Sequence, residues 1–345
     1  MAPDPQPRSV YLDLNHWYAL GDALAGEPQQ ANHVAVLEDL AQQAEQGRLV
    51  FPLSVVHYME LAENPRDHQR QRAADAMMKL SREPVTIAPL SKIIDEELSQ
   101  ELHRRLRRPM FPIKVKKFGV GAGFAALGEP RQLRLIGGTA EDRLQLAARM
   151  GTTVKDLERE ANTRAEYMFL AGPSAGERVQ IPGYDPYAAR GIADRELDSF
   201  NVMVNTLRTM PEYGSRPLDL ICARQLSFDI IDNYTRALIS AGYTKSSPWH
   251  SKEDLTDFLM SLPSRRVASL IQFHYLQDIH RNWSINDLRD ITALSMAIPY
   301  CDIVVTDKKA WDTATNRARL DREFSTAIFS RLNDLSDHLQ YRAKS

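Results

Sequence analysis

The segment from Ser284 to Asp312, SINDLRDITALSMAIPYCDIVVTDKKAWD, constrains the fold more than any other. Its first half places apolar residues at helical spacing (Ile291, Leu294, Met296, Ala297, Ile298) up to Pro299. Its second half, Ile303 to Val305, is an unbroken apolar run that ends on Thr306-Asp307. A strand without polar alternation is one buried on both faces, the condition of parallel sheets in α/β proteins. Such sheets carry their sites in the crevice beyond the carboxyl ends of the strands. Asp307 stands at such an end, and Asp290, near the start of the preceding helix, is placed to face the same crevice.

The N-terminal hundred residues repeat the arrangement. Val10 to Leu12 is a short apolar run that delivers Asp13 and then Asn15 into a helix starting near His16. A helix from about Ala31 to Gln46 stops at Gly47, and Leu49 to Phe51 reads as a second strand. From Ser54 the pattern is helical, with Val55, Val56, Met59 and Ala62 apolar and Glu60 at the edge of that stripe. A helix from Arg66 to Ser81, a third strand from Val85 to Ile87 and a helix from Ser91 to Arg108 follow. Strand and helix alternate, which predicts a doubly wound α/β domain. Each acid also has a plainer reading. Asp13 suits a helix N-cap, Glu60 a solvated helix face with Glu63 as its rival, and Asp287 a capping box with Ser284. Asp290 has no such local role.

At 345 residues the chain exceeds one average domain. Residues 109–283 read as mostly helical and carry little chemistry, so they are expected to be an insertion into a discontinuous domain of residues 8–108 and 284–342. Thr139 with Asp142 and Ser251 with Asp254 fit capping boxes there, and FGVGAGFAALG, from Phe118, reads as a mobile loop. The formal charge of −2 confines any grip on nucleic acid to a local basic patch. One is present: no acid occurs between Glu101 and Glu129, while Arg104, Arg105, Arg107, Arg108, Lys114, Lys116 and Lys117 are interleaved with Phe111 and Phe118. Positive charge beside aromatic faces suits single-stranded nucleic acid. Two cysteines, Cys222 and Cys301, argue for a reduced cytoplasmic setting, and no apolar run is long enough for a membrane span.

Hydrolysis of a phosphodiester needs a nucleophile made from water and neutralisation of charge on the scissile phosphate and leaving oxygen. Hard divalent cations held by carboxylates supply both. The four acids Asp13, Glu60, Asp290 and Asp307 therefore read as a Mg²⁺ or Mn²⁺ site, with Asp13 and Asp290 as direct ligands, Glu60 and Asp307 as further or water-mediated ones, and Asn15 and Thr306 as groups that orient them.

In these features the chain resembles the PIN-domain nucleases: a strand ending in Asp13 with Asn15 two residues later, Glu60 in the helix after the second strand, Asp290 with Ala297 in the pattern D-x6-A, and IVVTD followed by Trp311. The resemblance covers about residues 8–100 and 284–340. It implies a three-layer α/β/α domain with a mostly parallel central sheet, a helical lobe being inserted, and the same four acids as metal ligands of an endoribonuclease. In many members the last acid stands two residues after the threonine. Here that position is Lys308, a candidate phosphate contact, which leaves Asp307 or Asp312 as the fourth acid. RNA is the expected partner. By analogy with small relatives, a toxin or defence effector is expected, and a toxin would require an inhibitor protein. Two other readings are carried. A non-catalytic PIN-like RNA-binding scaffold would bind RNA in EDTA without cleaving it. A haloacid-dehalogenase-like phosphatase would use Asp13 as nucleophile, but needs an acid where Asn15 stands.

Overall fold

In chain order the elements are β1 (Arg8–Leu12), α1 (Leu14–Leu24), α2 (Val34–Glu45), β2 (Leu49–Val50), α3 (Val55–Glu63), α4 (Asp67–Leu80), β3 (Val85–Ile87), α5 (Leu90–Leu106), β4 (Phe118–Val120), α6 (Gly121–Leu127), α7 (Ala140–Arg149), α8 (Val154–Ala171) and α9 (Ala175–Arg178). There follow α10 (Arg190–Thr209), α11 (Pro217–Arg224), α12 (Ile231–Ser240), α13 (Lys252–Met260), α14 (Pro263–Leu276), α15 (Ile285–Tyr300), β5 (Ile303–Val305), α16 (Lys308–Asp312), α17 (Leu320–Phe324), β6 (Ala327–Phe329) and α18 (Leu332–Lys344). The computed structural model describes residues 6–344 apart from Arg82, 107–110, Val179, Tyr184, Pro186, 188–189, 211–215, 244–247 and 279–280.

The protein is mixed α/β, as its alternating pattern predicts. Its main sheet has four strands in the order β2-β1-β5-β6, and β1 with β5 and β5 with β6 run parallel. Ile303, Val304 and Val305 are wholly buried, which accounts for the absence of polar alternation in β5.

Two expectations fail. β3 forms where expected but does not enter the main sheet; it pairs antiparallel with β4, Val85 opposite Val120 and Ile87 opposite Phe118. FGVGAGFAALG is accordingly no loop, since its first three residues are β4 and the rest opens α6. Its glycines fit this packing. A Cβ on Gly119 would lie 2.3 Å from ring carbons of Phe124, and Gly121, at φ +82°, turns the strand into the helix beside the Glu166 carboxylate.

The chain divides into two compact units, one of residues 1–7, 14–87 and 118–186 and one of 8–13, 88–117 and 187–345. Residues 109–283, expected to form one insertion, are thus shared between them. In the first unit α1 lies against α4 at backbone contact, because a Cβ on Gly21 would stand 2.5 Å from the Arg72 carbonyl oxygen. Arg70, 1 % exposed, ties that unit together by donating to the carbonyls of Asn64, Ala171 and Pro173 and to Asp67. The second unit holds β1, β5 and β6 together with a helical core. There Leu98, Leu102, Ile230, Phe258, Leu259 and Leu262 cluster between α5, α12 and α13.

Candidate functional site

The strand ends that carry the acids are brought into line. Leu12 is paired with Val305, and the next backbone N–H, that of Asp13, donates to the Val305 carbonyl at 2.9 Å. The N–H of Thr306 in turn donates to the Phe329 carbonyl at 3.0 Å, so β1, β5 and β6 finish at one edge. Asp13 and Asp307 leave this edge half-buried, and Thr306 is 1 % exposed between the strands.

Asp307 also starts α16. Its Oδ1 accepts from the N–H groups of Lys309 (2.7 Å) and Ala310 (3.1 Å), an N-cap that locks the carboxylate's direction. Trp311 then anchors the helix by donating from Nε1 to the Ile328 carbonyl at 3.1 Å. Asp290 arrives on α15, whose start is set by the Ser284–Asp287 capping box expected from the sequence. The Asp287 N–H donates to Ser284 Oγ at 3.3 Å, and Ser284's N–H donates to Asp287 Oδ2 at 2.9 Å. Asp290 is one turn further along, half-buried, and Ala297 is fully buried two turns beyond it.

The charges of Asp290 and Asp307 both reach Tyr275, near the end of α14. Tyr275 is 5 % exposed, and burial, then the charge of Asp307, push its hydroxyl far above the usual tyrosine range. Arg281 opposes this, while Asp290 and Asp287 add to it. Arg281 lies with its guanidinium carbon 3.9 Å from the Tyr275 ring centre and 5.0 Å from that of Trp283, and it is ion-paired with Asp287. Lys309 Nζ lies 5.1 Å from the Tyr275 ring centre. The phenol thus lies in the field of three acids, with two cations over its ring.

The other expected residues fall as follows. Glu60 is half-buried on α3 in the first unit, where the Tyr18 hydroxyl, raised chiefly by burial, feels its charge and accepts a hydrogen bond from Asn64 at 2.8 Å. Asn15 and Lys308 are exposed. Asp312 turns away from the strand edge: Oδ1 accepts from Asn316 (2.8 Å) and Oδ2 from Arg317 (3.1 Å). Both of its oxygens are thus engaged by the following turn.

The basic stretch is smaller than its sequence suggests. Arg104 and Arg105 are ion-paired with Glu101, and burial's upward push on that carboxyl is overcome by their hydrogen bonds, which bring it to about 2. Arg105 also donates to the Asp257 carbonyl and lies 5.7 Å from the Phe258 ring centre. Lys117 pairs with Glu96 and lies 4.9 Å from the Tyr300 ring centre. Lys114 and Lys116 are exposed, and Phe118 is part of β4. Arg107 and Arg108 lie outside the described residues.

Sequence reasoning missed Tyr275 and Arg281. A tyrosine on an apolar helix face six residues before an arginine is weak evidence alone. The stronger signal is their position just upstream of the capping box that leads to Asp290. Carboxylates are the hard oxygen donors that Mg²⁺ or Mn²⁺ takes. Among the described residues no group of three or more acids, histidines or cysteines is gathered closely enough to hold a metal ion. Mg²⁺ is commonly held by only one or two protein carboxylates and keeps several waters, so the donor chemistry of this edge still fits it. Also among the described residues, no helix is long and apolar enough to cross a membrane, and both cysteines are buried and free. Comparison of the chain with protein-family profiles, curated proteins and solved structures returned no match.

Proposed function

We propose that the chain is a metal-dependent nuclease of PIN-like type that cleaves RNA at the strand edge bearing Asp13, Asp290 and Asp307. The observation that carries this reading is the alignment of the strand ends, with Asp307 leaving β5 beside the end of β1 that bears Asp13, while the charges of both Asp307 and Asp290 are felt at Tyr275. Asp13, Asp290 and Asp307 would hold Mg²⁺ or Mn²⁺. The ion would neutralise phosphate charge and lower the pKa of a bound water. The chain's own contribution is positional. The α16 cap fixes the Asp307 carboxylate, and the α15 capping box fixes the turn that presents Asp290. Lys309 and Arg281, over the Tyr275 ring, temper the field of the acids there.

The test is incubation of the purified chain with a pool of single-stranded RNA, single-stranded DNA and tRNA, with Mn²⁺, Mg²⁺ or EDTA, beside Asp13→Asn and an Asp290→Asn, Asp307→Asn pair. Cleavage that requires the metal and is lost in the variants is expected. Cleavage that survives all three substitutions in a clean preparation overturns the proposal. One observation favours a second reading, a non-catalytic PIN-like scaffold: the acids do not form a ready-made cluster of three among the described residues. That reading expects RNA binding in EDTA and no cleavage at any metal concentration.

A further inference from the structure

We propose that residues 111–116 form a binding track for single-stranded nucleic acid, with Phe111 as the face on which a base stacks and Lys114 and Lys116 as phosphate contacts. This rests on the polynucleotide substrate argued above, but not on cleavage.

The track is built from α5. The Ile113 N–H donates to Ser99 Oγ at 3.0 Å and the Val115 N–H to Glu96 Oε2 at 2.8 Å, so the segment runs antiparallel along the helix with alternate N–H groups turned inward. Phe111, Ile113, Lys114 and Lys116 are exposed, whereas Val115 and Lys117 are half-buried. Inward N–H groups two positions apart are those of an extended chain, in which residues two positions apart, such as Lys114 and Lys116, are about 6.6 Å apart. They therefore meet neighbouring phosphates of an extended strand rather than a single one.

Glu96 and Glu101 would otherwise cancel this charge, but both are committed elsewhere. Glu96 is bound to Lys117 and the Val115 N–H, and Glu101 to Arg104 and Arg105. Among the described residues neither Lys114 nor Lys116 is joined to an acid. Phe111 is 99 % exposed, an extreme value for a residue type that is normally buried. A bare aromatic ring three residues from a pair of unpaired lysines meets the two needs of a single strand, a stacking surface and phosphate neutralisation. An acidic peptide would use the lysines but would gain little from the ring.

The experiment uses the full chain in EDTA, so that no substrate is turned over, with a labelled oligouridylate, its duplex counterpart and a poly-glutamate peptide as probes. Phe111→Ala and Phe111→Leu should each weaken oligouridylate binding between about fivefold and 100-fold, the effect of losing one stacked base. Lys114→Ala with Lys116→Ala should reduce the slope of log affinity against log salt by about 1.4. Because Phe111 is bare, circular dichroism of its variants should match the parent. Unchanged affinity in Phe111→Ala, retained affinity in Phe111→Leu, absence of binding by the parent chain, or equal capture of poly-glutamate would each overturn the track. The nuclease reading is judged separately. Phe111-dependent binding without metal-dependent cleavage removes that reading and keeps the track, and cleavage with Phe111-independent binding does the reverse.

Discussion

Asp287→Asn tests the electrostatic design around Tyr275. Asp287 has two tasks: Oδ2 closes the capping box with Ser284, and Oδ1 faces Arg281. The first task is worth about 1 kcal/mol, the usual cost of losing an N-terminal cap, and Ser284→Ala measures it alone. The second is larger. The Arg281 side chain is 6 % exposed, and its Nε and Nη1 have no hydrogen-bond partner among the described residues. Removing one partner of a buried ion pair costs about 3–5 kcal/mol, because the remaining charge is left uncompensated. Attraction of the guanidinium to the Tyr275 and Trp283 ring faces survives the change and offsets up to about 2 kcal/mol. The expected loss is therefore about 2–4 kcal/mol, clearly more than that of Ser284→Ala. Urea titration followed by tryptophan fluorescence is the assay, since Trp283 is within this site and a chain of two units need not unfold in one step. Adding Arg281→Met should restore most of the loss and so reveal the coupling. If Asp287→Asn costs no more than Ser284→Ala, or Arg281→Met restores nothing, the pair does not hold this region and the account of Tyr275 fails with it.

Gly21→Ala is the test of the α1–α4 contact. Alanine is ordinarily favoured over glycine in a helix by about 1 kcal/mol, but a Cβ 2.5 Å from the Arg72 carbonyl oxygen must push the helices apart, so a net loss of about 1–3 kcal/mol in urea unfolding is expected; a gain in stability would refute the contact. Glu101, its carboxyl depressed to about 2, should contribute stability above the unfolded value near pH 4.5 and lose it as pH falls toward 2. Screening limits the effect to about 1 kcal/mol. The loss in Glu101→Gln should match the parent's acid loss, and a parent whose stability is flat from pH 5 to 2 relative to that variant would contradict it.

What could be read from the sequence was what is settled within a few residues. The runs that end in Asp13 and Asp307 declared themselves as strands because burial on both faces removes polar alternation, and the parallel pairing of β1 with β5 follows. The boxes at Thr139 and Ser284 were visible because a cap and its N3 partner are three positions apart, whereas at Ser251 only the cap itself forms, Ser251 Oγ accepting from the Asp254 N–H. The box at Ser54 was not visible, since its reciprocal partner is His57 rather than an acid. Partners distant in sequence were also hidden. Nothing near Val85 announces that its strand will turn to Phe118–Val120, and a glycine-rich segment gives little β signal of its own. The basic stretch misled for a related reason. Counting acids forward from Glu101 found none, whereas a helix brings the residues three and four positions back into contact, and those positions from Arg104 and Arg105 lead to Glu101.

Under the proposed nuclease reading, the choice between Asp307 and Asp312 as the late acid turns on the destination of each charge. Both sit near the turn after β5, and spacing from Thr306 alone does not rank them. Asp312 spends its two oxygens on Asn316 and Arg317, and these partners, with burial opposing, depress its carboxyl; a cation arriving there would have to displace Arg317. Asp307 receives two backbone N–H groups on Oδ1, which orient the carboxylate without cancelling its charge. Its field reaches Tyr275 more strongly than that of Asp290 or Asp287. A charge that is oriented but not neutralised, at the end of a buried parallel strand, is what a hard cation or a transferring proton requires. Asp307 is the cap of α16 itself, so the helix start and the direction of the carboxylate are set by the same two hydrogen bonds.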